Sequence, residues 1–166
     1  MNGFAIYHSP VGDLRVDYEG DAVTGLKKTE PGGTSGTETP LTRLVFRELD
    51  EYFAGMRKDF DFPCLLRGTE FQQKVWAALR EIPYGETRSY QEIARAVGNP
   101  RACRAVGMAN HRNPIIIAVP CHRVIGANGA LVGYGSGLDV KKALLELEQK
   151  HRKDEIVADC PGSRIK

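Results

Sequence analysis

Five consecutive apolar residues, Ile115-Ile116-Ile117-Ala118-Val119, run straight into Pro120-Cys121-His122-Arg123-Val124. An uninterrupted apolar run of this length reads as a strand buried on both faces, and the proline marks a sharp exit from it. The chain is thereby committed to a core that delivers a cysteine, with a histidine beside it, to a turn. A nucleophilic cysteine needs that setting: a rigid scaffold, a nearby base and shelter from bulk water.

At 166 residues the chain can bury one domain or two small ones. No apolar run nears the ~20 residues that span a bilayer. Met1-Asn2-Gly3-Phe4 lacks the basic and apolar blocks of a signal peptide. A reducing, cytoplasmic, prokaryote-like setting without a membrane partner is expected. Cys64, Cys103, Cys121 and Cys160 form no Cys-x-x-Cys pair, so free thiols are expected rather than disulfides.

The net charge of +2 hides an asymmetry. Residues 1–68 carry 8 Lys and Arg against 11 Asp and Glu, a net −3; residues 69–166 carry 15 against 10, a net +5. From Arg88 to Arg123 there are six arginines, no lysine and one acid, Glu92. Arginine is favoured where phosphates are gripped and bases are stacked upon.

Residues 1–30 alternate and turn often, as a short antiparallel meander does. Glu30 to Pro40 reads as a mobile Gly/Ser/Thr/Pro loop. Thr39 caps a helix with Leu41, Leu44, Val45, Leu49, Tyr52 and Phe53 as its apolar stripe, ending at Gly55. Thr69 caps another with Trp76 on its core side. Ser89-Tyr90-Gln91-Glu92 is a capping box that opens a short helix ended by Gly98. Asn99 and Pro100 read as the cap and first turn of a following helix through Asn110. Two short helices around a Gly-containing turn form a helix-turn-helix. The second is rich in Ala and Gly, which suits the narrow minor groove better than major-groove reading. A last helix runs from Val140 to about Lys150. The expected class is α+β with two small domains: residues 1–68, a meander plus helix, and residues 69–150, helical, with the helix-turn-helix and a short buried strand carrying the cysteine. Residues 151–166 read as a frayed tail.

Gly85-Glu86-Thr87, Ser89-Tyr90, Gly98-Asn99-Pro100, Arg104-Ala105-Val106-Gly107, Asn113-Pro114 and Pro120-Cys121-His122-Arg123-Val124 together closely resemble the O6-alkylguanine-DNA alkyltransferase family, also called methylated-DNA–protein-cysteine methyltransferases. The resemblance runs from about Gly68 to Lys150. It implies minor-groove binding of duplex DNA containing O6-alkylguanine, flipping of the damaged base, and permanent transfer of the alkyl group to a cysteine, once per molecule and without a cofactor. Cys121 matches the acceptor, and His122 the residue that takes its proton through a water. Glu148 matches the carboxylate that orients the histidine, and Asn113 the residue that holds the cysteine loop. Tyr90 matches the tyrosine that helps rotate the nucleotide and protonates the leaving purine. Arg104 matches the finger that fills the vacated stack. The DNA-contacting set it implies is Ser89, Tyr90, Arg101, Arg104, Ala105, Gly107, Asn110, Arg112 and Arg123. The guanine pocket falls on Tyr134, Gly135, Ser136, Val124 and Met108.

Some family members hold a zinc through N-terminal Cys and His residues. Residues 1–63 here contain no cysteine and only His8, so no metal is expected. No obligate protein partner is implied, although cooperative self-association on DNA is compatible with the resemblance. Two rival readings use the same residues. One is a non-catalytic damage-recognition or regulatory helix-turn-helix protein with an inert cysteine. The other is a cysteine hydrolase, against which the arginine-rich helix pair argues.

Overall fold

The computed structural model describes residues 2–34, 36–129 and 137–159, the last seven of these by backbone only. An antiparallel meander opens the chain: β1 (Asn2–Ser9), β2 (Gly12–Glu19) and β3 (Ala22–Lys28) in that spatial order. Register runs Ile6 opposite Arg15 and Val16 opposite Leu26, with an irregularity at Asp17/Tyr18. Leu14, Val16 and Tyr18 alternate onto the buried face of β2, as a half-covered strand requires. Among the described residues of the 30–40 segment there is no helix or strand before Pro40; the Gly36 N–H donates to the Phe4 carbonyl at 3.2 Å.

Three helices begin with reciprocal capping boxes. These are α1 (Pro40–Phe53) with Thr39 and Thr42, α2 (Glu70–Arg80) with Thr69 and Gln72, and α3 (Tyr90–Ala96) with Ser89 and Glu92. Each box satisfies two backbone donors that the first turn leaves over. Trp76 on α2 is buried and donates its indole N–H to the Ala109 carbonyl at 2.9 Å. That bond pins α4 (Cys103–His111) across α2.

The helix-turn-helix is present, but its second helix starts later than the Asn-Pro signal suggests. Gly98 takes φ +82° and turns the chain. The Ala102 N–H then closes a separate turn on the Asn99 carbonyl at 3.0 Å. Ala102 occupies the cap position of α4 with no side-chain hydrogen bond. Asn99 caps a turn, not the helix.

The expected strand at 115–119 does not form. Ile115 bridges to Leu26 of β3, and Ile116 bridges to Val119 across a reversal at Ile117 and Ala118. Ile117 sits at φ +72°, a costly conformation for a β-branched side chain. Burial holds it there: its exposure is 1%. Apolar continuity reported burial correctly, but the backbone needed a tight fold-back that periodicity cannot show. Cys121–Arg123 form a single 3-10 turn, followed by β5 (Val124–Ile125). β5 pairs in parallel with β4 (Arg88–Ser89), so the cap of α3 and the exit of the cysteine turn share one ladder.

Backbone bonds also cross residue 68. The Leu26 N–H donates to Pro114 at 2.8 Å, and the Ile116 N–H donates to Leu26 at 3.0 Å. One hydrophobic cluster runs from Leu14 and Val16 through Val75 and Trp76 to Ile115 and Leu144. α5 (Leu138–Asp159) continues past the expected end at Lys150. Gly85 explains part of this extension. It takes φ +80°, a Cβ there would press on Arg152, and its carbonyl accepts from Gln149 and Arg152 at 2.6 and 3.1 Å.

Candidate active site

The turn that carries the cysteine is held from inside by Asn113. Its Nδ2 donates to the Val119 carbonyl at 2.7 Å, and its Oδ1 accepts from the Ile115 N–H at 3.0 Å. Those two bonds close the reversal and fix the backbone that presents Cys121. The thiol-bearing residue is 2% exposed, and Cys64, Cys103 and Cys121 are all unbridged. Cys103 is only half-buried, with its sulfur 3.1 Å from Gln91 Oε1. Cys160 lies outside the described residues.

His122 is fully buried, and its Nε2 meets Glu148 Oε2 at 2.6 Å. An Nε2–H donor to a carboxylate leaves Nδ1 as the acceptor nitrogen. His122 Nδ1 has no hydrogen-bond partner among the described residues. A basic nitrogen is thus kept uncommitted one residue from the thiol.

Glu148 is 0% exposed. It also accepts from Arg123 Nε at 2.8 Å, Arg123 Nη2 at 3.0 Å, Tyr52 Oη at 2.6 Å and the Gly85 N–H at 3.3 Å. Burial by itself would raise the carboxyl pKa. The charges and hydrogen bonds of His122 and Arg123 outweigh it and hold the group well below the usual carboxylate range. Glu148 is therefore an ionised anchor.

Arg123 was expected on DNA. Instead its side chain is 5% exposed, and its third contact is Nη1 to the Ile82 carbonyl at 2.7 Å. Its charge is consumed by Glu148, because a buried carboxylate needs a permanent cation more than the surface does. Asn110 is also displaced from the expected DNA set. It is 2% exposed and directs Nδ2 at the Cys121 carbonyl, 3.3 Å away.

Tyr90 opens α3 beside the thiol. Burial raises its phenol pKa, the nearby Cys121 adds to the rise, and a hydrogen bond with Asn110 opposes it. The hydroxyl therefore keeps its proton at neutral pH. Ser89 serves α3 directly: its Oγ accepts the Glu92 N–H at 3.0 Å. Arg101, Arg104, Ala105 and Arg112 are exposed, and Gly107 is half-buried. Met108, at 52% exposure, joins Tyr90, Arg101, Arg104 and Gly107 around one open groove. A second cavity of about 960 Å³ reaches Cys121 past Asn110, Asn113 and Ile116. Its outer rim is formed by Asp13, Lys27 and Lys28 of the N-terminal meander. Tyr134, Gly135 and Ser136 lie outside the described residues.

Two residues at this centre escaped the sequence reading. Lys141 on α5 is fully buried and donates from Nζ to the Val124 carbonyl at 2.6 Å. Burial pushes its ammonium down to about 8, while the Cys121 sulfur, when ionised, works the other way. Its signal was a lysine on the helical face of Leu144 and Glu148. Tyr52 counted only as one member of an apolar stripe, yet a buried tyrosine hydroxyl needs a partner. Among the described residues, no three His, Cys, Asp or Glu side chains converge as a metal site. None of the described helices is long and apolar enough to cross a membrane.

The family model described as "6-O-methylguanine DNA methyltransferase, DNA binding domain" matches residues 70–150. A methylated-DNA–protein-cysteine methyltransferase from Methanosarcina acetivorans is 54% identical over 151 residues, 87% of this chain and 97% of its own. The chain belongs to the methylated-DNA–protein-cysteine methyltransferase family. The constitutive member from Bacillus subtilis is 47% identical over 165 residues, 93% of this chain and 100% of that one. The crystal structure of Mycobacterium tuberculosis OGT in complex with DNA matches with a TM-score of 0.82 at 51% identity, covering 89% of this chain and 93% of that chain. Membership thus extends through the N-terminal meander, where the sequence motifs contributed little.

Proposed function

We propose that this protein repairs duplex DNA by transferring the alkyl group from O6 of guanine to Cys121, once per molecule. The supporting observation is the buried Cys121 turn: His122 and Glu148 stand behind it, Tyr90 stands beside it, and an arginine-bearing helix lies next to the opening. The relatives' names and the DNA-bound structure of a close relative support the same reading.

The thiol proton passes to His122 Nδ1 through a water, and Glu148 stabilises the imidazolium. Sulfur attacks the alkyl carbon in line, forming the S–C bond as the C–O6 bond breaks. Tyr90 supplies a proton to the departing purine and is reprotonated from the relay, so guanine leaves neutral. A thiol of ordinary pKa ~8.5 is about 3% ionised at pH 7, and full ionisation gains only about 30-fold, near 2 kcal/mol. The rest of the acceleration comes from alignment and from protonating the leaving group. Arg104 enters the stack where the base leaves, and Arg101 and Arg112 grip phosphates. Val124 offers the guanine amino group a carbonyl held in place by Lys141.

The test is intact mass and peptide mapping after incubation with duplex DNA containing O6-methylguanine. A gain of one methylene on Cys121, absent in Cys121→Ser, is expected. Damage-selective binding without a mass gain would overturn alkyl transfer in favour of a recognition module.

A further inference from the structure

The carboxylate behind the histidine serves more donors than orienting one ring requires. Glu148 Oε2 accepts from His122, Arg123 and Tyr52, while Oε1 takes Arg123 and the Gly85 N–H. A carboxylate has about four lone-pair sites. Tyr52 and His122 share one oxygen at the same 2.6 Å distance. Tyr52 comes from α1, 96 residues away in sequence, and is 0% exposed.

We propose that Tyr52 is a positioning residue of the alkyl transfer, setting the basicity of His122 by sharing Glu148 Oε2 with it. The proposal rests on the alkyl-transfer reading above. A donor on Oε2 draws negative charge away from the histidine. Less charge on that oxygen stabilises the imidazolium less, so His122 stays neutral, and able to accept the thiol proton, to lower pH. The other ionisable groups around the cluster are Arg123 on the 3-10 turn, Cys121 beside His122, and Tyr84 in the segment before β4. The Tyr84 ring lies 5.7 Å from the Arg123 guanidinium. Its phenol is pushed up to about 12 by burial and by Glu148. Lys58 Nζ lies over the same ring, 5.6 Å from its centroid. Lys141 sits further back on α5 and is directed at Val124 instead. Burial and Glu148 together hold the Tyr52 phenol well above its ordinary value, so it remains a donor throughout the working pH range.

Tyr52→Phe removes the donor and keeps the ring that packs on Phe53 and Phe60. Oε2 retains His122 and Arg123, so no buried charge is stranded. Single-turnover rates are measured from pH 5 to 9 with duplex DNA containing O6-methylguanine, under saturating protein, with thermal melting alongside. The acid limb of the variant should move up by roughly half to one pH unit. The rate near neutrality should then fall about two- to fivefold, a loss that shrinks as pH rises. A uniform rate loss at every pH, or an unmoved limb, would overturn the role of Tyr52 and leave it a packing residue. If Tyr52→Phe melts too low to assay, 3-fluorotyrosine incorporated at position 52, a stronger donor of nearly the same shape, must move the limb down; an unmoved limb overturns the proposal. Absence of transfer by the unmutated protein would instead overturn the alkyl-transfer reading, and this proposal with it.

Discussion

The α3–α4 helix pair and the cysteine turn are neighbours joined by the β4–β5 ladder, yet they are built by opposite means. The helix pair is assembled locally. Its capping box spans four residues, Gly98 supplies its turn, and Arg101 and Arg104 project into solvent. The cysteine turn is assembled from a distance. Tyr52, Ile82, Gly85, Lys141 and Glu148 all bond to its side chains, its carbonyls or each other. Exposed charges there cost little to replace, whereas a buried ion pair is expensive to break. Stability should therefore tolerate single changes in the helix pair better than in the cysteine turn.

The largest expected effect follows from breaking the distant assembly. Glu148→Gln leaves Arg123 buried without its counter-charge, which should cost about 3 kcal/mol in urea unfolding. It should also slow transfer to Cys121. The unmutated protein should lose stability in acid in a way the variant does not. The folded carboxyl is harder to protonate than the unfolded one, so below the ordinary value of 4.5 the unfolded state binds more protons. The Glu148 contribution is complete above that pH and declines as pH falls below it. Equal acid slopes in the two proteins would break the contrast drawn above.

A change in the helix pair should separate binding from folding. Arg104→Ala should change the unfolding free energy from urea melts by no more than about 0.5 kcal/mol. Its rate on duplex DNA should fall roughly tenfold, because the vacated stack is left unfilled. Reaction with free O6-benzylguanine, which needs no flipping, should be largely spared. Equal losses on both substrates would show that α4 supports the cysteine as well as the DNA.

The smallest effect belongs to Lys141. Its folded ammonium sits at about 8 against 10.5 when free. Between those values the unfolded chain binds more protons, so stability rises with pH across that window. Lys141→Met should flatten the rise, a difference of about 1 kcal/mol, read from urea melts at pH 7.5 and 9.

The same division explains what could be read from residues alone. Thr39, Thr69 and Ser89 announced three helix starts because a cap and its partner lie within one turn. The Pro-Cys-His-Arg motif coincides with the 3-10 turn that carries Cys121. Its backbone was misread as a strand, since five apolar residues report burial but not the reversal at Ile117. Arg123 was grouped with the surface arginines because its partner is 25 residues away. Tyr52 was a stripe residue because nothing within α1 reveals which carboxylate its hydroxyl meets. Local hydrogen bonds leave local signatures; long-range ones do not.

Sequence separation also orders events in time. A protein emerges from the ribosome N-terminus first, so Cys121 appears before Glu148 does. Until α5 has been made and docked, His122 has no carboxylate, Arg123 has no counter-charge and the Val124 carbonyl has no lysine. A protein that can react only once thus withholds its reactivity until α5 has been synthesised and docked.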